Sequence, residues 1–147
     1  MKKLAIVYWS GTGNTEAMAQ AIEKGAKEGG AETTLVTVGD FGADKMTGFD
    51  GYAFGCPAMG PACGTEELDE GEFEPFFEEA EKKLSGVPTV LFGSYGWGGG
   101  AWMEAWVERT KAAGAKLFSD GLTAENTPDD DALAACEKLG KDFAAAL

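Results

Sequence analysis

Six consecutive residues, Ser10-Gly11-Thr12-Gly13-Asn14-Thr15, hold the densest chemical potential in the chain. Ser10, Thr12, Asn14 and Thr15 offer hydroxyl and amide donors, while Gly11 and Gly13 let the backbone turn sharply and approach a ligand. They precede a helix-patterned stretch whose first-turn N–H groups point the same way. Such a loop suits an anion, above all a phosphate. An ordinary helix cap needs one side-chain oxygen, and this loop has more donors than a cap can use. A Walker loop requires GxxxxGK[ST], yet no lysine lies between Lys3 and Lys24. The dinucleotide fingerprint G-x-G-x-x-G would place glycine or alanine where Glu16 stands. What remains is an uncharged cradle suited to the phosphate monoester of a mononucleotide.

The flanking residues must position that cradle. Leu4 to Trp9 is short and continuously apolar or aromatic, as expected of a parallel strand covered on both faces. After the loop the period changes: Met18, Ile22, Ala26 and Gly29 mark one face of a helix, with Glu16, Gln20, Glu23, Lys24 and Lys27 elsewhere. Further strand-like runs are Glu32 to Val38, Gly51 to Cys56, Val87 to Ser94 and Lys116 to Thr123. Helical patterns lie between or after them: Phe73 to Leu84, interrupted near its start by Pro75, then the stretch around Trp102 to Val107, then Leu133 to Phe143. Phe41 to Phe49 reads as a loop or a short helix, with no pattern that decides between them. Phe118, Trp106 and the helix phenylalanines Phe73, Phe76 and Phe77 read as core.

Strands alternating with helices predict an α/β fold, a five-stranded parallel sheet between two helical layers. Right-handed crossovers and a ligand loop after the first strand favour the strand order 2-1-3-4-5. Residues 1–147 then form a single domain, long enough to bury roughly 68–70% of its unfolded surface. The loops after strands one, three and four all open on the crevice at the strands' carboxyl ends, and all are glycine-rich. Glycine there lets a flat, bulky ligand approach the backbone.

Composition excludes several functions. With a formal net charge of −13 and no histidine, the chain lacks the basic face of a nucleic-acid protein, histidine acid/base catalysis and histidine-rich metal sites. Cys56, Cys63 and Cys136 form no CxxC array and cannot all pair with one another, which favours a reducing compartment. The start lacks a signal peptide's apolar core, and no run approaches the ~18 apolar residues of a membrane span. A cytoplasmic protein without a membrane partner is expected.

Tyr8 to Ala19, Gly55-Cys56-Pro57-Ala58-Met59-Gly60 and Gly93-Ser94-Tyr95-Gly96-Trp97-Gly98 together resemble the flavodoxins, particularly the short clostridial type. The resemblance covers most of the chain and implies a flavodoxin-like three-layer α/β/α sandwich that binds FMN, with Ser10 to Thr15 on its phosphate. It places Trp97 against one face of the flavin, where Gly96 and Gly98 leave room, and points to the backbone of Ser94, Tyr95 and Gly96 as donors near the pyrimidine end. Tyr95 either walls the site or packs inward. Asn126 would add a contact from the loop after the fifth strand, although Glu125-Asn126 reverses the order of the relatives.

The loop after strand three departs from the relatives by carrying a tandem near-copy, Pro57-Ala58-Met59-Gly60 and then Pro61-Ala62-Cys63-Gly64, before Thr65-Glu66. In the clostridial type one copy precedes a small polar residue and a glutamate that accepts from flavin N3, and a peptide there flips on reduction. If the first copy is equivalent, Met59 covers the ring and Gly60-Pro61 is the adjustable peptide, where a proline removes an N–H and lowers the trans preference to about 0.5–1 kcal/mol. If the second is equivalent, Cys63 covers the ring, Gly64-Thr65 adjusts freely and Glu66 reaches N3. Because Ala62 would fall at the acceptor position in the first register and can accept nothing there, the second is favoured, with Met59 left for the dimethylbenzene edge.

The resemblance implies a low-potential one-electron carrier cycling between semiquinone and hydroquinone, a monomer and not an enzyme, whose acidic surface meets basic patches on redox proteins. The alternative is an FMN-dependent NAD(P)H:quinone-type reductase on the same fold. That enzyme needs a nicotinamide site, and no second nucleotide loop is evident.

Overall fold

The computed structural model describes residues 2–9, 13–46, 48–56, 73–95, 101–119, 121–125 and 128–147, with the backbone alone at 43, 74, 75, 95, 101, 102 and 125. In chain order the elements are β1 (Lys3–Tyr8), α1 (Asn14–Glu28), β2 (Glu32–Thr37), β3 (Gly51–Gly55), α2 (Phe73–Ala80), β4 (Pro88–Tyr95), α3 (Ala101–Ala112), β5 (Lys116–Leu117), β6 (Leu122–Glu125) and α4 (Asp130–Ala146). Short 3-10 turns at Ala43–Lys45 and Glu81–Lys83 supplement them. The first falls in the Phe41 to Phe49 stretch that periodicity leaves unassigned.

The sheet is parallel in the order β2-β1-β3-β4-β5, with β6 also on β4, as expected from the alternating pattern. β1 is buried on both faces because its side chains alternate between two cores. Leu4, Ile6 and Tyr8 pack with Met18, Ile22 and Phe143 of α1 and α4, while Ala5 and Val7 pack with Phe73, Phe77 and Trp106 of α2 and α3. That double coverage explains the lack of a polar alternation in the run. Helices α1 and α4 approach closely where Gly25 faces the Glu137 carbonyl and Gly140 faces the Ile22 carbonyl.

The second core is largely aromatic. Phe73 and Phe77 meet Trp106 edge-to-face at 5.2 and 5.6 Å, and the buried Trp106 Nε1 has no hydrogen-bond partner among the described residues. The helix phenylalanines and Trp106 are thus core, as the sequence predicts. Pro75 lies in the first turn of α2, where a missing N–H breaks no intrahelical bond, so the helix runs through it.

Two expectations need correction. The fifth strand is not continuous. Thr89 pairs with Leu117 and Phe92 with Leu122, so five steps along the edge accompany three along β4, and the pairing is interrupted between β5 and β6. Gly121 takes φ +100 there, with Met103 so close that a β-carbon would meet its Sδ at 2.7 Å. Phe118, read as core, directly follows β5, where its N–H still donates to the Thr89 carbonyl, and is 42% exposed, its ring touching Phe143 at a centroid distance of 5.4 Å.

Candidate functional site

Parallel pairing brings the carboxyl ends of β1, β3 and β4 to one rim. Trp9 N–H donates to the Gly55 carbonyl at 3.0 Å and Cys56 N–H to the Phe92 carbonyl at 3.1 Å, which aligns the exits of β1 and β3. β4 runs beyond that level, with Ser94 opposite Ala124 and Tyr95 opposite Glu125 of β6. The start of α1 faces the same rim.

The local structure at that start follows from Gly13. It is the N-cap, at φ 92 and ψ −6, a left-handed conformation that glycine adopts without strain. It gives the helix no side-chain cap, and a β-carbon built there would meet no atom of the described residues within 4 Å. Two residues on, Thr15 is buried, and its Oγ1 lies 3.3 Å from Oγ of the equally buried Ser94. Either hydroxyl can donate to the other. Their mutual bond uses one O–H, so one hydrogen remains to donate elsewhere.

Tyr8, the last residue of β1, is likewise tied to α1: its hydroxyl donates to Glu16 Oε1 at 3.1 Å. Burial first, then the bond to Glu16 and that carboxylate's charge, raise the Tyr8 pKa above the ordinary phenol value. The hydroxyl therefore stays protonated at neutral pH.

Of the predicted site residues, Gly13, Asn14, Thr15 and Ser94 come together at this rim, and the backbone of Tyr95 ends β4 beside them. Ser10, Gly11, Thr12, Pro57, Ala58, Met59, Gly60, Cys63, Gly64, Thr65, Glu66, Gly96, Trp97, Gly98 and Asn126 lie outside the described residues. Sequence reasoning missed the Thr15–Ser94 and Tyr8–Glu16 contacts. The placement of both loops on one rim hints at the first. A tyrosine closing a strand and a glutamate in the next helix's first turn signal the second.

Charge is distributed unevenly about this rim. Lys2, Lys3 and Lys116 lie at or next to strand starts, Lys24, Lys27, Arg109 and Lys111 toward helix ends, Lys82 and Lys83 just beyond α2, and Lys138 and Lys141 in the middle and later part of α4. Because the helices run antiparallel to the strands, all of these are set back from the site. Lys45 alone follows a strand's carboxyl end, where its Nζ donates to the Asp40 carbonyl. Two surface clefts, lined by Lys3, Glu32, Thr34, Gly48 and Phe49 and by Glu81, Lys82, Arg109, Ala112 and Ala113, lie at the opposite, amino end. Among the described residues no three His, Cys, Asp or Glu side chains group as metal ligands, and no helix is long and apolar enough to cross a membrane.

The residues present fit the FMN phosphate: a helix start capped by glycine, two buried hydroxyls with a hydrogen to donate, and no lysine or arginine in the first turns of α1. This parallel sandwich, with its lysine-free helix start at the point where β1 and β3 diverge, defines a mononucleotide-binding protein of flavodoxin-like fold. The family model described as Flavodoxin matches residues 6–140, and the flavodoxin of Clostridium beijerinckii is 45% identical over 141 residues, 96% of this chain and 99% of that protein. The chain belongs to the flavodoxin family. The flavodoxin of Megasphaera elsdenii is also 45% identical, over 92% of this chain and 94% of its own. The solution structure of that flavodoxin in its two-electron reduced form superposes with a TM-score of 0.83 over 98% of this chain and 99% of the other. Flavodoxins bind FMN and carry electrons between redox partners, and they are not enzymes. The reductase alternative is accordingly not favoured.

Proposed function

We propose that this chain is a single-domain, monomeric, cytoplasmic carrier that holds one FMN noncovalently and passes electrons one at a time between redox proteins. The observation that carries the reading is the start of α1: a glycine-capped helix end beside the buried Thr15–Ser94 hydroxyl pair, at the carboxyl ends of β1 and β4. FMN supplies the redox chemistry when bound, taking up and releasing single electrons. The protein's residues bind and orient it. Ser10, Gly11, Thr12, Gly13, Asn14 and Thr15 hold the phosphate by neutral hydrogen bonds. Trp97, between Gly96 and Gly98, stacks on one ring face, which is worth on the order of 1 kcal/mol beyond area burial. Ser94, Tyr95 and Gly96 donate near the pyrimidine end, Asn126 adds a contact, and the doubled loop covers the other face.

In that loop the register has Cys63 on the ring, Gly64-Thr65 as the adjustable peptide and Glu66 at N3, with Met59 left for the dimethylbenzene edge. A crystal structure of the FMN complex tests it. Glu66 farther than ~3.5 Å from N3 with no bridging water would exclude this register.

The acidic chain disfavours adding negative charge to the cofactor. One charge at ~10 Å in water contributes about 0.4 kcal/mol before salt screening, and 59 mV corresponds to a tenfold change for one electron, so several charges lower the potential by about tens of millivolts. The setting back of the cations from the rim supports docking through the cofactor end onto basic patches of partners. Reduction experiments test the carrier role: requirement for a separate reductase protein supports it, and rapid direct reduction by NAD(P)H opposes it.

A further inference from the structure

Glu16 occupies an unusual place. It is the third residue of α1 and the acidic group of its first turn. A glutamate three residues beyond an N-cap can swing back over the helix start and bond the N–H groups there, the arrangement of a capping box. In such a box the N-cap serine or threonine shares the work, but here the cap is Gly13, which has no side chain to compete. A carboxylate folded back would sit where an anion binds, and its charge would add repulsion. In this structure Glu16 Oε1 instead accepts a hydrogen bond from Tyr8 Oη, at the end of β1. The Tyr8 ring is only 7% exposed and packed among Leu4, Ile6, Met18 and Ala19, so its hydroxyl is a fixed point on the sheet.

We propose that Tyr8 is a positioning residue for cofactor recognition: by holding the Glu16 carboxylate toward β1, it keeps an internal anion away from the phosphate's place at the start of α1. The inference rests on the reading that this helix start receives the FMN phosphate. Tyr8 then favours FMN over riboflavin without touching either, and Glu16 is a self-competitor held in check. The carboxylate of the first turn is held beside β1 and not over the helix start.

The test is a double-mutant cycle on the apoprotein, titrated with FMN and with riboflavin for the wild type, Tyr8→Phe, Glu16→Gln and the double variant. Tyr8→Phe keeps the ring and the packing. It is expected to weaken FMN binding by about 2- to 10-fold and to leave riboflavin affinity unchanged. Glu16→Gln removes the competing charge, so it binds FMN at least as tightly as the wild type, and adding Tyr8→Phe to it brings no further loss. Unchanged FMN affinity in Tyr8→Phe would overturn the proposal. So would an equal loss for both ligands, which is the mark of a packing role, or a loss that persists in the double variant. If the wild type itself does not prefer FMN to riboflavin, the phosphate reading fails before Tyr8 is considered.

Discussion

Thr15 Oγ1 and Ser94 Oγ lie 3.3 Å apart in a buried position, joining the first turn of α1 to the end of β4 across 79 residues of sequence. The contact links the part of the site assigned to the phosphate with the strand that leads to the ring. Removing one hydroxyl leaves the other buried with its partner gone, at a cost of about 1–3 kcal/mol. Ser94→Ala and Thr15→Val are each expected to destabilise the apoprotein by that amount, and the double variant by clearly less than their sum. Denaturant unfolding of the four proteins measures the coupling. Additive losses would show that the two hydroxyls do not act as a pair.

The seat of α1 against α4 gives a second prediction. A β-carbon on Gly140 would run into the Ile22 carbonyl, and one on Gly25 into the Glu137 carbonyl, both backbone atoms that can move only if the helices part. Gly140→Ala is expected to lose about 1–3 kcal/mol despite the higher helix propensity of alanine. Gly30→Ala tests a different mechanism, because Gly30 has open space around it and φ 92. Its cost comes from left-handed strain alone, about 1–2 kcal/mol.

A fork of two hydrogen bonds joins α3 to the turn after α2: Arg109 Nε to Glu81 Oε2 at 2.7 Å and Nη2 to Oε1 at 3.2 Å. The guanidinium also lies 5.1 Å from the centre of the Phe77 ring. Lysine keeps the charge but loses the fork and the planar stacking. Arg109→Lys is therefore expected to lower stability by about 1 kcal/mol. Stability equal to the wild type would show that charge alone suffices.

The thiol of Cys136 is buried between α1 and α4, and burial first, with the Glu137 charge second, pushes its pKa up from 9.0 to about 12. The folded state then keeps the proton more tightly than the unfolded chain. The thiol's contribution is fully present below the unfolded value of 9.0 and is lost as pH rises toward about 12. Each pH unit in that window removes about 1.4 kcal/mol. Tyr8 and Tyr52, also raised, add to the fall at its upper end. Cys136→Ala should flatten the alkaline decline of stability relative to the wild type. An identical decline in both proteins would contradict the assignment.

Electron transfer to a small cationic acceptor protein should slow by about tenfold or more between low ionic strength and ~0.5 M salt, as steering by the acidic surface is screened. A rate indifferent to salt removes the docking proposal.

Strand order and helical layers were legible because each element's period is clean. β1 is apolar on both faces, α1 repeats Met18, Ile22 and Ala26, and α2 repeats Phe73, Phe77 and Ala80. The break between β5 and β6 was not, since Lys116 to Thr123 has strand formers on both sides of Ser119-Asp120-Gly121, a turn signal overridden by that wider pattern. Phe118 was misread for the same reason: on an unbroken strand its alternation points inward. The phosphate cradle was readable as a local run of donors. Its supports were not, because Thr15–Ser94 spans 79 residues and Tyr8–Glu16 depends on the angle at which β1 hands over to α1.

The most direct test of the FMN-carrier account is the visible spectrum of the purified protein, followed through a reductive titration after reconstitution with FMN. The expected result is a yellow protein that binds one FMN per chain, releases it unmodified on denaturation and accepts two electrons in separate one-electron stages. A colourless protein that takes up no FMN would contradict it.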